Sequence, residues 1–419
     1  MLGFDVIEGK MAWRNLLANK RRSLLTLVVI SIGVVSLLFL SGYINYVKIG
    51  FGSVLRQSTY GDFQLYPKGF RELHDESSNS LLFSQEEIED IEDVLYDALD
   101  EEISFINSRL YLTGQISNGV QTSIFMGHGG DVYGETQMKN VEVIEGSLLM
   151  SGSSNAIVLG RGLASALGAE LGTELILQIP QANGYPLAEL GEVVGIVDFN
   201  ITELNNRYVI TDLQLAQTLN DGAGAQRLLV HFDSKRPWDD VYRDAVKAIE
   251  KARANGDVPE LEYASWLELA DYYQRVIMLY NNQLYVFSLI FLLMFFFSIS
   301  NSLYMSIMER QSEIGTLRAI GISRSEIVRV VFGEGLILGI AGFVVGLLLS
   351  FLVQLGLDNF EVYQPPAPGL NRPVRLAILL SGNSIGLFAV LTILVASCAT
   401  LLPSSKAVRK NIVDAIRTI

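Results

Sequence analysis

The stretch ERQSEIGTLRAIGISRSEIVRVV, residues 309–331, follows an apolar run, FSLIFLLMFFFSISNSLYMSIM (287–308), and leads at once into another. Within it Ile314, Leu317 and Ile320 recur three residues apart, a narrow apolar stripe on polar ground made by Glu309, Arg310, Glu313 and Arg318. Gly321 stands where a helix would close in the left-handed conformation. Ser323 and Glu326 then form the capping box that opens a second helix. The pattern predicts a short surface helix lying across the end of a helical hairpin. A lipid surface is one seat for such a helix. With no aromatic residue in the stripe and both charge signs around it, a protein socket suits it better.

Working outward, four apolar runs cover 24–47, 284–307, 328–357 and 378–402. Each approaches the roughly 20 residues that cross a bilayer as a helix. Buried core helices are the alternative, but these are seldom apolar on every side over such a length. Half of the 419 residues are hydrophobic, mean hydropathy is +0.33, and the excess is gathered in these runs. The first run follows Lys20, Arg21 and Arg22, as a signal peptide would. It outlasts an h-region, however, and SGYINYVKIG (41–50) has no small-x-small cleavage site, so it reads as an uncleaved anchor. Cys398, the single cysteine, lies in the fourth run, so no intramolecular disulfide can form.

Basic residues set the expected topology. Lys10, Arg14, Lys20, Arg21 and Arg22 precede the first run, Arg310, Arg318, Arg324 and Arg329 follow the second, and Lys406, Arg409, Lys410 and Arg417 follow the fourth. Four crossings put all three groups on one side, which the positive-inside rule makes the cytoplasm, with both termini there. The region 47–278 then faces outward. It holds 36 acidic and 16 basic side chains, a net −20 against −14 for the whole chain. Such a field disfavours nucleic acid and anionic headgroups as partners, and keeps an outer domain soluble. The expected layout is a cytoplasmic amphipathic segment (1–23), a first span (24–47), an extracytoplasmic α+β domain (48–275) and a second span with its stalk (276–308). The surface helix (309–327), third span (328–357), Pro-rich outer loop (358–377), fourth span (378–402) and cytoplasmic tail (403–419) follow.

Within the outer domain, SQEEIEDIEDVLYDALD (84–100) places Ile88, Ile91, Val94, Leu95 and Leu99 at helical spacing behind a Ser84–Glu87 capping box. RLYLTGQISNGVQTSIFMG alternates around Asn118-Gly119, a hairpin signal. VEVIEGSLLMSGSSNAIVLGRGLASALGAELGTELILQI reads as strand, turn, short helix, turn and strand. GEVVGIVDF, NRYVITD and QRLLVHFD add three strands, and a last helix near 238–254 carries Val241, Ala245 and Ile249 on one face. GHGG (127–130) reads as a flexible turn. His74, His128 and His231 are far apart in sequence, no HExxH-type spacing suggests a metal, and no catalytic constellation appears. GxxxxGK[ST] is absent, so ATP is not expected on a P-loop of this chain.

At this point the residues carry a family resemblance. MAWRNLLANKRRSLLTLVVISIGV (11–34), ERQSEIGTLRAIGISRSEIVRVVFGEGLILGIAGFVVGLLLS (309–350) and LLPSSKAVRKNIVDAIR (401–417) resemble the FtsX-like, MacB-type ABC transporter permeases. EGSLLMSGSSNAIVLGRGLASALGAELGTELIL is similar to the loop leading into that family's porter-type subdomain. The tail departs from the pattern, having Asn411-Ile412 where an Asp-Pro is usual, and no fused ATPase is present. The resemblance implies a four-helix membrane protein with a large extracytoplasmic α+β domain, like the MacB periplasmic core, inserted between the first two helices. It implies a bacterial inner-membrane location. Residues 309–321 (Glu309, Arg310, Glu313, Ile314, Leu317, Arg318, Ile320 and Gly321) would then be the coupling helix, seated in a separate cytoplasmic ATPase that carries ATP and Mg. The chain would be no enzyme and hold no cofactor of its own. It would pair with a second permease chain, identical or not, and relay ATP-driven movement to its outer domain.

Other features fit that frame. Gly333, Gly335, Gly339, Gly342 and Gly346 allow close helix approach, for packing or dimer contact. Glu334 needs a partner or water, and an interhelical role is favoured over proton transfer. Tyr43, Tyr46 and Tyr280 sit on stalks that suit the membrane interface and could line a substrate entry. DNFEVYQPPAPGLNRPVR (358–375) holds four of ten prolines and reads as a rigid cover; its PPxPG element resembles a lipoprotein-releasing-type subset. A lipoprotein or other amphipathic substrate, beside membrane lipid, is the expected cargo. The alternatives are a transmembrane regulator of cell-wall enzymes and a receptor or scaffold without an ATPase. A receptor needs no socket helix.

Overall fold

The computed structural model describes residues 6–72, 81–137, 141–150, 155–181, 185–365 and 371–409. In chain order the helices are α1 (Val6–Ala18), α2 (Lys20–Leu55), α3 (Gln85–Leu99), α4 (Val132–Thr136), α5 (Arg161–Leu167), α6 (Thr202–Arg207) and α7 (Leu213–Leu219). They continue with α8 (Trp238–Asn255), α9 (Trp266–Leu269), α10 (Asp271–Glu309), α11 (Gln311–Ala319), α12 (Arg324–Phe360) and α13 (Gly382–Arg409). The outer sheet is built from β1 (Phe63–Pro67), β2 (Ile103–Ser117), β3 (Thr122–Gly130), β4 (Glu142–Gly146) and β5 (Ala156–Gly160). Its other strands are β6 (Glu174–Ile179), β7 (Leu187–Asp198), β8 (Tyr208–Asp212), β9 (Arg227–Phe232) and β10 (Leu261–Ser265).

Two units divide the chain. One comprises Met1–Ile49, Arg275–Gln364 and Arg375–Ile419; the other comprises Gly50–Gln274 with Pro365–Val374. In the first, α2, α10, α12 and the 382–404 part of α13 are long and apolar enough to cross a membrane. At 1.5 Å per residue, the 36-residue α2 and 39-residue α10 reach about 54 and 58 Å, well beyond a hydrocarbon core of about 30 Å. The stalks are thus continuations of the spans. The helix of the fourth apolar run begins at Gly382: residues 376–381 are non-helical, and buried Ile378 packs against Gly42 of α2. A single core joins the four helices through Ile30, Val34, Phe295, Ile299, Phe343 and Ala396, among others.

The outer unit is a ten-stranded mixed sheet in the order β10-β1-β9-β2-β3-β8-β5-β7-β4, with β6 bridging β2 and β7. β3–β8 and β5–β7 run parallel; the other pairs are antiparallel. Helices α3 and α8 cover β1, β2 and β9 with Ile88, Ile91, Leu95, Val241, Ala245 and Ile249, and the Ser84–Glu87 capping box is formed. A second core lies under α5 and α7. The hairpin turn spans 118–121, with Asn118 Oδ1 accepting from the N–H groups of Val120 and Gln121 and Gly119 at φ +87°.

GHGG is not a turn. It is the buried end of β3, where a Cβ on Gly127 would lie 2.0 Å from the Val209 carbonyl and one on Gly129 2.1 Å from Ala216. These glycines serve close approach, not flexibility. β1 and β10 were not expected, and β4 and β5 are two strands where one was read. His74, the PPxPG element and the tail beyond 409 lie outside the described residues.

Candidate functional site

At the end of α10 the chain turns at Arg310 (φ −103°, ψ 21°) into α11. That helix closes with Gly321 at φ +107°, its N–H donating to Arg318 O (3.2 Å) while Ile322 N–H donates to Leu317 O (3.1 Å). Ser323 Oγ accepts from Glu326 N–H and Glu326 returns a carboxylate oxygen to Ser323 N–H, which starts α12. The stop and start read from the sequence are therefore present as backbone geometry.

Two ion pairs fix the base of this segment. Arg22 of α2 grips Glu309 with both terminal nitrogens, Nη2 donating to Oε1 at 2.6 Å and Nη1 to Oε2 at 3.1 Å. Arg310 Nη2 donates to Glu334 Oε1 of α12 at 2.8 Å, and Asn15 Nδ2 of α1 donates to the same oxygen at 2.7 Å. Glu334 is 1% exposed, so the carboxylate that the sequence left in need of a partner has two. That α1 and the start of α2 meet this hairpin is not encoded in any local pattern. The signal available was charge alone: Arg22 and Glu309 both stand where an apolar run meets water.

The stripe does not hold together as one surface. Ile314 packs into the helical core, Gly315 is buried, Leu317 and Arg318 are half-buried, and Ile320 is 77% exposed. A spacing of six residues on a 3.6-residue helix turns a side chain about 120° away from the first, so Ile314 and Ile320 cannot share a direction. The outward face is Ser312, Glu313, Thr316, Ala319 and Ile320.

The glycines of α12 are used inside the chain. A Cβ on Gly335 would meet Thr400 at 2.3 Å and one on Gly339 would meet Ala396 at 2.6 Å, both on α13. On Gly342 and Gly346 it would meet Ile30 at 2.6 Å and Val34 at 2.7 Å, both on α2. Within the chain the pattern serves close helix packing. On the stalks, Tyr43 and Tyr280 meet edge to face at 6.4 Å, and Gln364 Nε2 donates to Tyr43 Oη at 3.0 Å. Tyr46 is half-buried outside that ring pair.

The outer unit holds two polar clusters that sequence reasoning missed. Glu135 Oε1 accepts from Arg109 Nε and Asn107 Nδ2, each at 2.8 Å, and lies 2.9 Å from His128 Nε2. Tyr208 Oη and His128 Nδ1 are 2.8 Å apart. Burial pushes the Glu135 carboxyl up, but Arg109 and His128 hold it well below the usual range. Burial, then the Arg109 charge, holds His128 below its ordinary value; the same two causes take His231 down to about 3. No three His, Cys, Asp or Glu side chains among the described residues are grouped to hold a metal. The cluster pins α4 to the sheet.

The second cluster surrounds Asp198, 3% exposed at the end of β7. It accepts from Asn205 Nδ2 (2.8 Å) and Asn200 N–H (2.7 Å) and pairs with Arg161 (3.1 Å). Arg372, from the connection between α12 and α13, lies 3.6 Å from Asp198 and pairs with Glu142 of β4. Beside it, Asn371 N–H donates to Asn200 O at 3.1 Å and Thr202 Oγ1 donates to Asn371 Oδ1 at 2.8 Å.

Comparison with known proteins adds sequence kinship to this geometry. Residues 23–248 match the MacB-like periplasmic core domain, and residues 285–412 match the FtsX-like permease C-terminal region. The chain is 24% identical over 277 residues to the lipoprotein-releasing system transmembrane protein LolC of Neisseria meningitidis, covering 62% of this chain and 64% of that one. It is 24% identical over 267 residues to LolE of Haemophilus influenzae, covering 62% of each. The alignments thus span under two thirds of these curated relatives. The periplasmic region of MacB from Actinobacillus actinomycetemcomitans aligns with a TM-score of 0.37 at 13% identity, over 54% of this chain and 95% of that one.

Proposed function

Because the chain belongs to the family of permeases that join a MacB-like periplasmic core domain to an FtsX-like C-terminal region, we propose that it is the membrane subunit of an ABC transporter. ATP hydrolysis by a separate cytoplasmic ATPase is coupled to movement of the outer domain. No ATP or Mg binds this chain; both belong to the ATPase. A second permease chain completes the assembly, and both termini lie in the cytoplasm. The observation that carries the reading is the anchoring of α11: its base is held by the Arg22–Glu309 and Arg310–Glu334 pairs while Glu313, Thr316 and Ile320 stand outward. A lever needs that combination, since a push on the outward face must reach the spans without being absorbed at the joint.

The relatives bear lipoprotein-releasing names, which favours a lipoprotein or another acylated, amphipathic molecule as cargo. Tyr43 and Tyr280 at the helix stalks are the proposed entry. Purification from native membranes in mild detergent tests the partner. The ATPase co-purifies with the unaltered chain, and Ile320→Asp or Glu313→Arg lowers that recovery while leaving insertion unchanged. Recovery of the chain alone, under conditions that preserve other permease–ATPase complexes, would remove the reading. Photocrosslinking from Tyr280 tests the cargo: capture of an acylated protein supports it, and capture of bulk phospholipid alone, unchanged on inactivating the ATPase, transfers support to a regulator of cell-wall enzymes.

A further inference from the structure

Helix α1 has two faces with different occupations. Ala12, Asn15, Leu16 and Asn19, at i, i+3, i+4 and i+7, point inward: Ala12 is buried, Asn15 donates to Glu334 and Asn19 Nδ2 reaches Ser306 Oγ at 3.5 Å. Lys10, Trp13, Arg14 and Leu17 have the same spacing two positions earlier, on the opposite side of the helix, and are exposed. Trp13 is 56% exposed and Leu17 is 48% exposed. Lys20 and Arg21 continue the basic edge, also exposed, and Leu24 and Leu25 directly after them begin the exposed apolar surface of the first span.

We propose that this outward face of α1 is a docking surface for anionic phospholipid headgroups of the adjoining leaflet. An indole with a neighbouring leucine is the pair of groups that settles at the headgroup level. Four cationic side chains around it supply what a zwitterionic surface would not reward. Each cation held near an anionic membrane is worth roughly fivefold in partition at moderate salt. Continuity with Leu24 and Leu25 puts the face beside the bilayer rather than away from it. Arg22 takes no part, since Glu309 holds it.

Docking has a consequence at the base of α11. Asn15 and Arg310 share one oxygen of Glu334, so an α1 held on the membrane steadies the hydrogen bond beside the coupling segment. That consequence rests on the transporter reading; the docking itself does not.

The test uses the full-length chain in nanodiscs of phosphatidylcholine, with and without phosphatidylglycerol, the lipids carrying brominated acyl chains. The Trp13 signal is isolated by subtracting the Trp13→Phe chain. Phosphatidylglycerol should raise quenching of Trp13 at least threefold, high salt should reverse the rise, and Lys10→Gln with Arg14→Gln should abolish it. Unchanged emission from Trp238 and Trp266 in that double variant certifies its fold. Equal quenching with and without anionic lipid would overturn the proposal. So would absence of quenching in both, which assigns the face to a second copy or another protein. The measurement contains no ATPase, so its outcome and that of the co-purification are independent.

Discussion

Replacing Arg310 with Leu would leave the Glu334 carboxylate inside the helical bundle with Asn15 as its remaining described partner. The pair is buried, with side-chain exposures of 15% for Arg310 and 1% for Glu334, so solvent screens little of it. Removing one partner of a buried ion pair costs about 3–5 kcal/mol, because the remaining charge is uncompensated. Glu334→Leu should cost less, about 1–3 kcal/mol, since Arg310 sits at a helix end and can turn its guanidinium toward water. The double variant should recover much of the loss, because no buried charge then lacks a partner, giving a coupling energy of at least about 2 kcal/mol. Equilibrium unfolding of the full chain in mixed micelles, with dodecyl sulfate as denaturant, measures all three. If both single variants lose under about 1 kcal/mol and their effects simply add, the pair does not fix the base of α11, and the lever argument loses its support.

Gly321→Ala should destabilise by about 1 kcal/mol although nothing crowds the position, since φ of +107° is strained for any L side chain; the same micelle titration reads it. Gly346→Ala should cost about 1–3 kcal/mol, because the new methyl would meet Val34 at 2.7 Å and the Ser31 carbonyl at 2.9 Å. Gly356→Ala, with open space around it, is the neutral control. Acidification should weaken the outer unit: His231 titrates near 6.5 when unfolded and near 3 when folded, so the unfolded state binds more protons between these values. Stability is then full above pH 6.5 and falls progressively toward pH 3, with the Glu135 contribution, held by Arg109, lost at the acid end below about 4.5. His231→Phe, which keeps the stack on Phe105, should flatten the slope of unfolding midpoint against pH between 4 and 6.5. An unchanged slope would show that His231 is not the group responsible.

The spans, the α3 cap and the α11–α12 junction were legible because each is encoded locally, in a run of apolar residues or in four residues of capping chemistry. Glycines 335, 339, 342 and 346 were legible as small residues, but not which neighbour each would face, since that depends on where Ile30 and Ala396 arrive from distant segments. GHGG was misread because glycine signals both a turn and a close approach, and only the adjoining strand carrying Val209 decides between them. β1 and β10 escaped notice as five-residue segments whose meaning comes from pairing with each other across most of the outer domain. The Arg109–Glu135 and Arg310–Glu334 pairs join residues 26 and 24 positions apart, with nothing in the sequence to link them. The apolar stripe was over-read: three-residue steps drift round a helix, and Ile314 and Ile320 part company.

The connection between α12 and α13 does more than close a loop. Its residues 365–374 belong with the outer unit, through Asn371 on Asn200 and Thr202 and through Arg372 on Glu142 and Asp198. The outer unit is therefore not one continuous stretch of chain: the region of β4, the end of β7 and the start of α6 is closed by a segment that lies between the last two spans in sequence. Because the fastening is a few polar contacts around a partly exposed Arg372, each worth about 1 kcal/mol or less, its loss would loosen this corner of the sheet and leave the rest of the unit's core standing.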